Sequence, residues 1–349
     1  MVVELELPAA ADFHVHLRDG ELMKTVVPTI RNGGVNLVYV MPNLVPPVTS
    51  VARALSYKAD LEAIDPSITY LMTLYLCNDV TPEVIYEAKK AGIAGVKSYP
   101  AGVTTNSDAG VVSYEAFYPV FAAMEEVDMV LNLHGETPPR EGVTVLNAEE
   151  TFLPTLLDLN KRFPKLRIVL EHCTTAAAVE AVKKCGPTVA ATITAHHLYL
   201  TIDQWAGNPH CFCKPVAKLP SDRDALVAAA VSGDPKFFLG TDSAPHPRSS
   251  KQGSKTAAGV FTQPYALQYV AEVFQREGKL DGLKAFACEY GRAFYKTKEL
   301  GFESDERVAE KLVIRTEPSD VVIDGYGDGD SAVVPFLAGQ KVWSLQWKQ

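Results

Sequence analysis

Short apolar runs recur along the chain, separated by stretches whose apolar residues fall every three or four positions. Eight of the runs read as strands: Phe13–Leu17, Asn36–Pro42, Ile68–Leu76, Gly95–Tyr99, Met129–Gly135, Arg167–Cys173, Val189–His196 and Phe237–Thr241. Several are almost wholly apolar (ITYLMTLYL, MVLNL, RIVL), the pattern of parallel strands covered on both faces. Helix signals lie between them. Thr81, Pro82 and Glu83 supply an N-cap, a first-turn proline and a first-turn acid, and Gly92 ends that helix. Thr174–Cys185 is Ala-rich and stops at Gly186-Pro187, and Ser221–Ser232 starts on a capping serine and ends at Gly233. Eight strand–helix alternations predict an α/β fold, a (β/α)8 TIM barrel, with a doubly wound sheet as the competing architecture. No G-x-G-x-x-G follows the first strand, which weakens the second option. The chain is expected to be a single domain, with the barrel core over about 10–280. From Asp281 a helix, a Gly/Asp-rich stretch (DGYGDGDSA) and short strand-like pieces predict an appendage over 281–349.

Composition narrows the function classes. The chain has 349 residues, is 47% hydrophobic and 21% charged, and so is neither disordered nor a coiled coil. Lys plus Arg is 33 and Asp plus Glu is 42, giving a formal charge of −9, so a nucleic-acid partner is not expected. An anionic substrate would need cationic groups gathered locally. No apolar run approaches the ~20 residues of a membrane span, and the segment MVVELELPAAAD carries no secretory signal pattern. The six cysteines are scattered, without a C-x-x-C pair, and read as reduced thiols of a cytoplasmic protein. Cys211 and Cys213 read as buried or half-buried thiols in preference to metal ligands, because no second thiolate pair accompanies them.

Candidate chemistry gathers at strand ends. Alternation along the first strand puts His14, His16 and Arg18 on one face, where two imidazoles can converge on a cation. Taken alone, an H-x-H is as readily a pair of hydrogen-bonded strand histidines. Lys97, His134, His172 and Asp242 each fall near the C-terminal end of a different strand. Each by itself has a structural reading: a satisfied rim histidine, a loop-capping aspartate, a lysine reaching solvent. In a barrel all of these ends surround one mouth. Four histidines and a carboxylate exceed the needs of one tetrahedral zinc and suit two divalent ions. Lys97 would repel a dication as an ammonium. Either burial keeps it neutral, or the neutral amine adds carbon dioxide and becomes a carbamate able to bridge two metals. The loop 101–110, small and polar, can close over a small substrate. Pro245–Gly259 carries Arg248, Lys251 and Lys255, which either attract an anion or form an exposed charged loop. His196 and His197 read as structural or supporting residues.

These residues sit in longer motifs: D-F-H-V-H-L-R-D at 12–19, M-P-N at 41–43, G-V-K-S-Y-P-A-G-V-T-T-N at 95–106, L-H-G-E at 133–136, E-H-C-T-T at 171–175, G-T-D-S-A-P-H at 240–246 and V-P-F-L-A-G at 334–339. In these the chain resembles the dihydroorotase family, in its stand-alone bacterial and fungal form, within the amidohydrolase superfamily. The resemblance implies a zinc-dependent, reversible cyclisation of N-carbamoyl-L-aspartate to L-dihydroorotate, the third step of de novo pyrimidine synthesis. It implies two Zn2+ per chain, one held by His14, His16 and Asp242 and the other by His134 and His172. Lys97, carrying a carbamate derived from carbon dioxide, would bridge them. Asp242 would also be the general acid/base. Arg18, Asn43 and His246 would bind the substrate carboxylate, helped by main-chain groups near Lys214 and Ala258, and Thr104 and Thr105 would lie in a mobile lid. A homodimer is implied as well. Another cyclic amidase, acting on hydantoin, dihydropyrimidine or allantoin, is the enzymatic alternative, and the carboxylate clamp separates the two. A non-catalytic barrel is the other competing class, and it would be expected to lack some of the ligands present here.

Overall fold

All eight apolar runs become strands of one parallel sheet. In the computed structural model, which describes residues 3–348, β1 (Glu4–Pro8) precedes β2 (Ala10–Val15), β3 (Val35–Val40), β4 (Thr69–Tyr75), β5 (Gly95–Ser98), β6 (Val130–Leu133), β7 (Ile168–Leu170), β8 (Val189–Ile193) and β9 (Phe237–Leu239). Strands β2 to β9 pair in sequence order, with registers such as Lys97 opposite Asn132 and Leu133 opposite Leu170. The circle closes beyond β9, where the His16 N–H donates to the Ser243 carbonyl at 3.0 Å. This is a TIM barrel with its helices outside.

The helix signals hold, with one exception. Thr81 Oγ1 accepts the Val84 N–H at 3.4 Å to cap the helix Pro82–Lys90, and Gly92 follows with φ +77°. Thr175 caps Ala176–Lys184 in the same way at 3.0 Å. Ser221 caps nothing. That helix starts one residue earlier, at Pro220, whose fixed φ suits a first turn, and the Asp222 carboxylate accepts the Leu219 N–H at 3.3 Å.

The strands stop short of the C-terminal ends of the apolar runs. β2 stops at Val15, β7 at Leu170 and β9 at Leu239. Past these ends Arg18, His172 and Asp242 adopt φ of +64°, +41° and +47°, a left-handed conformation through which no strand continues. Arg18, His172 and Asp242 therefore sit on the turns at the mouth, whereas His14 lies within β2 and Lys97 within β5.

Inside the barrel, Phe13 stacks on Tyr295 (centroids 4.6 Å apart) and meets Phe238 edge-on at 5.5 Å. Burying each such ring contributes about 1.5–3 kcal/mol. A second, antiparallel sheet joins β1 to β10 (Lys311–Val321) and β11 (Lys341–Trp347). The segment between β10 and β11 reaches the mouth, where the Phe336 N–H donates to the Phe261 carbonyl and the Arg248 N–H to the Ala332 carbonyl, both at 2.8 Å. Among the described residues no helix is long and apolar enough to cross a membrane.

Candidate active site

His14 lies in β2 and His16 just beyond its end, and their ring centroids are 5.3 Å apart. Each ring is oriented by an acceptor at Nδ1: Glu171 Oε2 at 2.8 Å for His14 and Asn43 Oδ1 at 2.8 Å for His16. With the proton on Nδ1, both rings present the Nε2 lone pair to the same place, as metal-binding imidazoles do. There the Asp242 Oδ1 lies 3.4 Å from His14 Nε2 and 3.0 Å from His16 Nε2. Burial would raise the Asp242 carboxyl, but its neighbours His16, His14 and Lys97 outweigh it and hold it at about 2. Its turn is pinned from below. Asp12 accepts the Thr241 N–H at 2.7 Å and the Thr241 hydroxyl at 2.6 Å, tying the end of β9 to β2.

His134 and His172 complete the cluster, 4.7 Å apart between centroids, with His172 5.0 Å from His14. Glu136 Oε2 meets His134 Nε2 at 2.9 Å, leaving Nδ1 of that ring for other use. Burial pushes all four imidazoles below their ordinary range, so they are neutral and their lone pairs are available. Among the predicted metal-holding side chains, two buried atoms have no partner: His172 Nδ1 and Lys97 Nζ. Lys97 is 0% exposed, 5.1 Å from the centre of the Tyr99 ring, and its amine is pushed down to about 8 by burial, against the opposing charges of Glu171 and Asp242. A buried ammonium with no carboxylate bonded to it is costly. These orphaned atoms, together with one ligand atom each from His14, His16 and Asp242 within 4.8 Å of one another, fit a cluster built to hold divalent cations through nitrogen and oxygen donors.

Above the histidines, Arg18, Asn43, Thr104, Thr105, Lys214, Asp242 and Ala258 line one pocket with them. Of the predicted residues only Lys97 and His246 are outside that lining. Lys97 is fully buried beside the Tyr99 ring, and His246 Nε2 stands 3.1 Å from Arg18 Nη2. The same His246 nitrogen is 3.0 Å from the Ala258 carbonyl. One nitrogen cannot serve both, so protonating Nε2 toward Ala258 leaves the Arg18 fork free for an anion. The Arg18 Nε–H already donates to the Pro245 carbonyl at 3.0 Å, which aims the guanidinium. Gly259, at φ +155°, lets the backbone pass close to His246; a Cβ there would lie 2.3 Å from the Ala244 carbonyl. Asn43 holds His16 through its oxygen and donates from Nδ2 to the Thr105 carbonyl at 3.2 Å. Lys214 Nζ donates to the Val103 carbonyl at 3.1 Å, so the loop 101–110 is held over the pocket from both sides.

Several functional side chains escaped the reading of the sequence. Lys251, read there as a loop charge, is buried, and its ammonium donates to the Phe212, Ala257 and Gly259 carbonyls at 2.9, 2.8 and 2.6 Å. It shapes the wall that carries Ala258. Glu171 links His14 to Asn132 Nδ2 (2.5 Å) and to the Thr192 hydroxyl (2.6 Å), and Asn132 in turn takes the Tyr39 hydroxyl at 2.6 Å. A carboxylate next to His172 in an otherwise apolar run was the available signal. What it bonds to could not be read without the barrel.

The comparisons agree with this geometry. The amidohydrolase family model matches residues 77–199. A probable dihydroorotase of Schizosaccharomyces pombe is 58% identical over 347 residues, covering 99% of this chain and 100% of that protein. The dihydroorotase of Saccharomyces cerevisiae is 47% identical over 367 residues, covering 100% of both. The crystal structure of the Saccharomyces cerevisiae dihydroorotase in complex with 5-fluoroorotic acid superposes with a TM-score of 0.93 at 47% identity, covering 99% of each chain. With identity of this order along its whole length and the same barrel beneath it, the chain belongs to the dihydroorotase family.

Proposed function

We propose that this protein is a dihydroorotase that closes N-carbamoyl-L-aspartate to L-dihydroorotate with loss of water, and opens the ring in reverse, in de novo pyrimidine synthesis. The observation that carries the reading is the meeting of four histidines and Asp242 with Arg18 and Asn43 in one pocket, with Lys97 buried close by. Cyclic amidases share the need for the first part. Only a substrate with a carboxylate outside the reacting amide needs the second.

His14, His16 and Asp242 would hold one Zn2+, His134 and His172 another, and a carboxylated Lys97 would bridge them. When bound, the ions would supply Lewis acidity, lowering the pKa of a water towards about 7 and stabilising oxyanion charge on the ring carbonyl. Asp242, ionised and seated on the pocket wall, takes a proton from the attacking water at its carboxylate oxygen and delivers it to the departing ring nitrogen. Arg18 grips the spectator carboxylate through its planar fork, with His246 beside it, Asn43 Nδ2 as a further donor and main-chain groups near Lys214 and Ala258 completing the clamp. Thr104 and Thr105 close over the ring and exclude water, their loop anchored by Lys214 and Asn43.

We read the chain as one functional unit, residues 281–349 being an appendage that braces the mouth through the Phe336–Phe261 and Ala332–Arg248 bonds. The six free thiols suit a cytoplasmic setting, and a homodimer is the assembly that the family resemblance implies.

The test is turnover. Purified protein should consume dihydroorotate with loss of its ultraviolet absorbance and carry about two zincs in the pocket. Arg18→Ala should raise KM for dihydroorotate strongly. Equal turnover of uncharged dihydrouracil by the unaltered protein would move the assignment to another cyclic amidase.

A further inference from the structure

A second nest of ligating side chains lies outside that pocket. His196 and His197 follow β8, and Cys213 precedes the Lys214-Pro215 bond; all three are buried. One ligand atom from each lies within 4.8 Å of the other two. Cys213 Sγ is 3.6 Å from His197 Nε2, and the Pro215 carbonyl oxygen is 3.1 Å from both of those atoms. A tetrahedral zinc with nitrogen at about 2.05 Å and sulfur at about 2.3 Å sets its N···S edge near 3.6 Å and its N···O edge near 3.3 Å. The N···S and N···O edges are already close to those of a ligand set, whereas the Sγ···O edge, 3.1 Å against about 3.6 Å, would open by about half an ångström as an ion enters.

Hydrogen bonding alone accounts for part of the nest. Cys213 can donate its S–H to Pro215, and His197 Nδ1 meets Thr194 Oγ1 at 2.8 Å. It leaves His196 unexplained. That ring is 0% exposed, and neither of its nitrogens has a partner. Each buried polar group left unmade costs about 1–3 kcal/mol, and only a cation or an enclosed water would relieve it. His197 is satisfied without an ion when the Thr194 hydroxyl donates to Nδ1 and the Nε2–H donates to the Pro215 carbonyl; in the other tautomer its Nε2 lone pair faces the Pro215 oxygen at 3.1 Å, and a positive ion between them would relieve the repulsion and take up a His196 nitrogen as well.

We propose that His196, His197 and Cys213, with the Pro215 carbonyl as fourth donor, form a structural site for zinc or another thiophilic divalent ion, separate from the catalytic cluster. The mixed imidazole–thiolate set selects against magnesium and calcium. As the ion enters, the Cys213 thiol loses one proton to solvent and the sulfur bonds the metal as thiolate. Burial pushes that thiol above its ordinary range, so without metal it is inert; Lys218 and Lys251 on one side and Asp242 and Glu136 on the other are the charges around it. Occupancy would staple the turn after β8 to residues 213–215, and so stiffen the wall from which Lys214 reaches the Val103 carbonyl.

The site does not depend on the reaction, and its test is independent of turnover. The full chain is loaded with Co2+, and its near-ultraviolet absorption is compared with that of Cys213→Ser and His196→Gln, alongside metal content per chain. The catalytic cluster offers only nitrogen and oxygen donors, so a thiolate-to-cobalt charge-transfer band reports this site. The expected result is that band in the unaltered protein, its absence in Cys213→Ser, and about one metal equivalent fewer in both variants, whose catalytic ions are retained. Should one variant fail to fold, the other and the unaltered spectrum still decide. A cobalt-loaded protein without the band, or equal metal content in all three proteins, overturns the proposal.

Discussion

Lys97 offers the sharpest quantitative handle on the site. Carbon dioxide adds only to the neutral amine, so the relevant quantity is the fraction of Lys97 without its extra proton. Burial brings this lysine from an ordinary 10.5 down to about 8. At pH 7 the neutral fraction is then about one in ten, against about one in three thousand for an exposed lysine, a gain of about 300-fold. The assay is reconstitution of metal-stripped protein with Zn2+ and 13C-labelled bicarbonate at fixed dissolved carbon dioxide, followed by the carbamate carbon signal and by recovered turnover. The rate should climb about tenfold per pH unit from 6 towards 8 and level off above it. The sign for stability follows from the same shift. The folded pKa lies below the unfolded one, so the penalty on the buried ammonium, of the order of 3 kcal/mol, is fully present below pH 8 and disappears as pH rises to 10.5. Recovery at the same rate without carbon dioxide, a flat pH profile, or label retained in Lys97→Ala would refute the reasoning.

Three further outcomes are expected. Arg18→Lys keeps the charge but loses the fork, and should raise KM for dihydroorotate about ten- to a hundredfold with a smaller change in kcat, measured by steady-state kinetics; an unchanged KM would place the carboxylate elsewhere. Glu171→Gln removes the charged acceptor at His14 Nδ1 and should weaken metal retention about ten- to a hundredfold in a chelator competition, whereas a variant that holds its ions as tightly as the parent would assign Glu171 a purely structural role. Lys251→Met deletes the ammonium that gathers the Phe212, Ala257 and Gly259 carbonyls. Limited proteolysis should then open the 245–259 loop, and no change in cleavage would count against its role as the wall's anchor.

The sequence by itself determined the architecture and most of the cluster. Apolar runs such as Thr69–Tyr75 bury on both faces whatever their neighbours, and so announce parallel strands at once. His14, Lys97, His134, His172 and Asp242 were legible because a barrel sends every strand end to one mouth, which turns positions in sequence into neighbours in space. Local rules failed where a competing local feature won. Ser221 lost its capping role because Pro220 had already set the first turn.

Only the tertiary structure decided what each side chain bonds to. Lys251 reads as a loop charge until three carbonyls converge on it, and Cys213 reads as an ordinary buried thiol until two histidines from a different strand end stand beside it. Asn43 is a turn residue in sequence, yet it orients His16 from 27 positions away. Hydrophobic periodicity is a short-range property that a chain carries with it. Hydrogen-bond partners and pKa shifts belong to juxtapositions that exist only after the barrel has closed, and the catalytic character of this site resides in them.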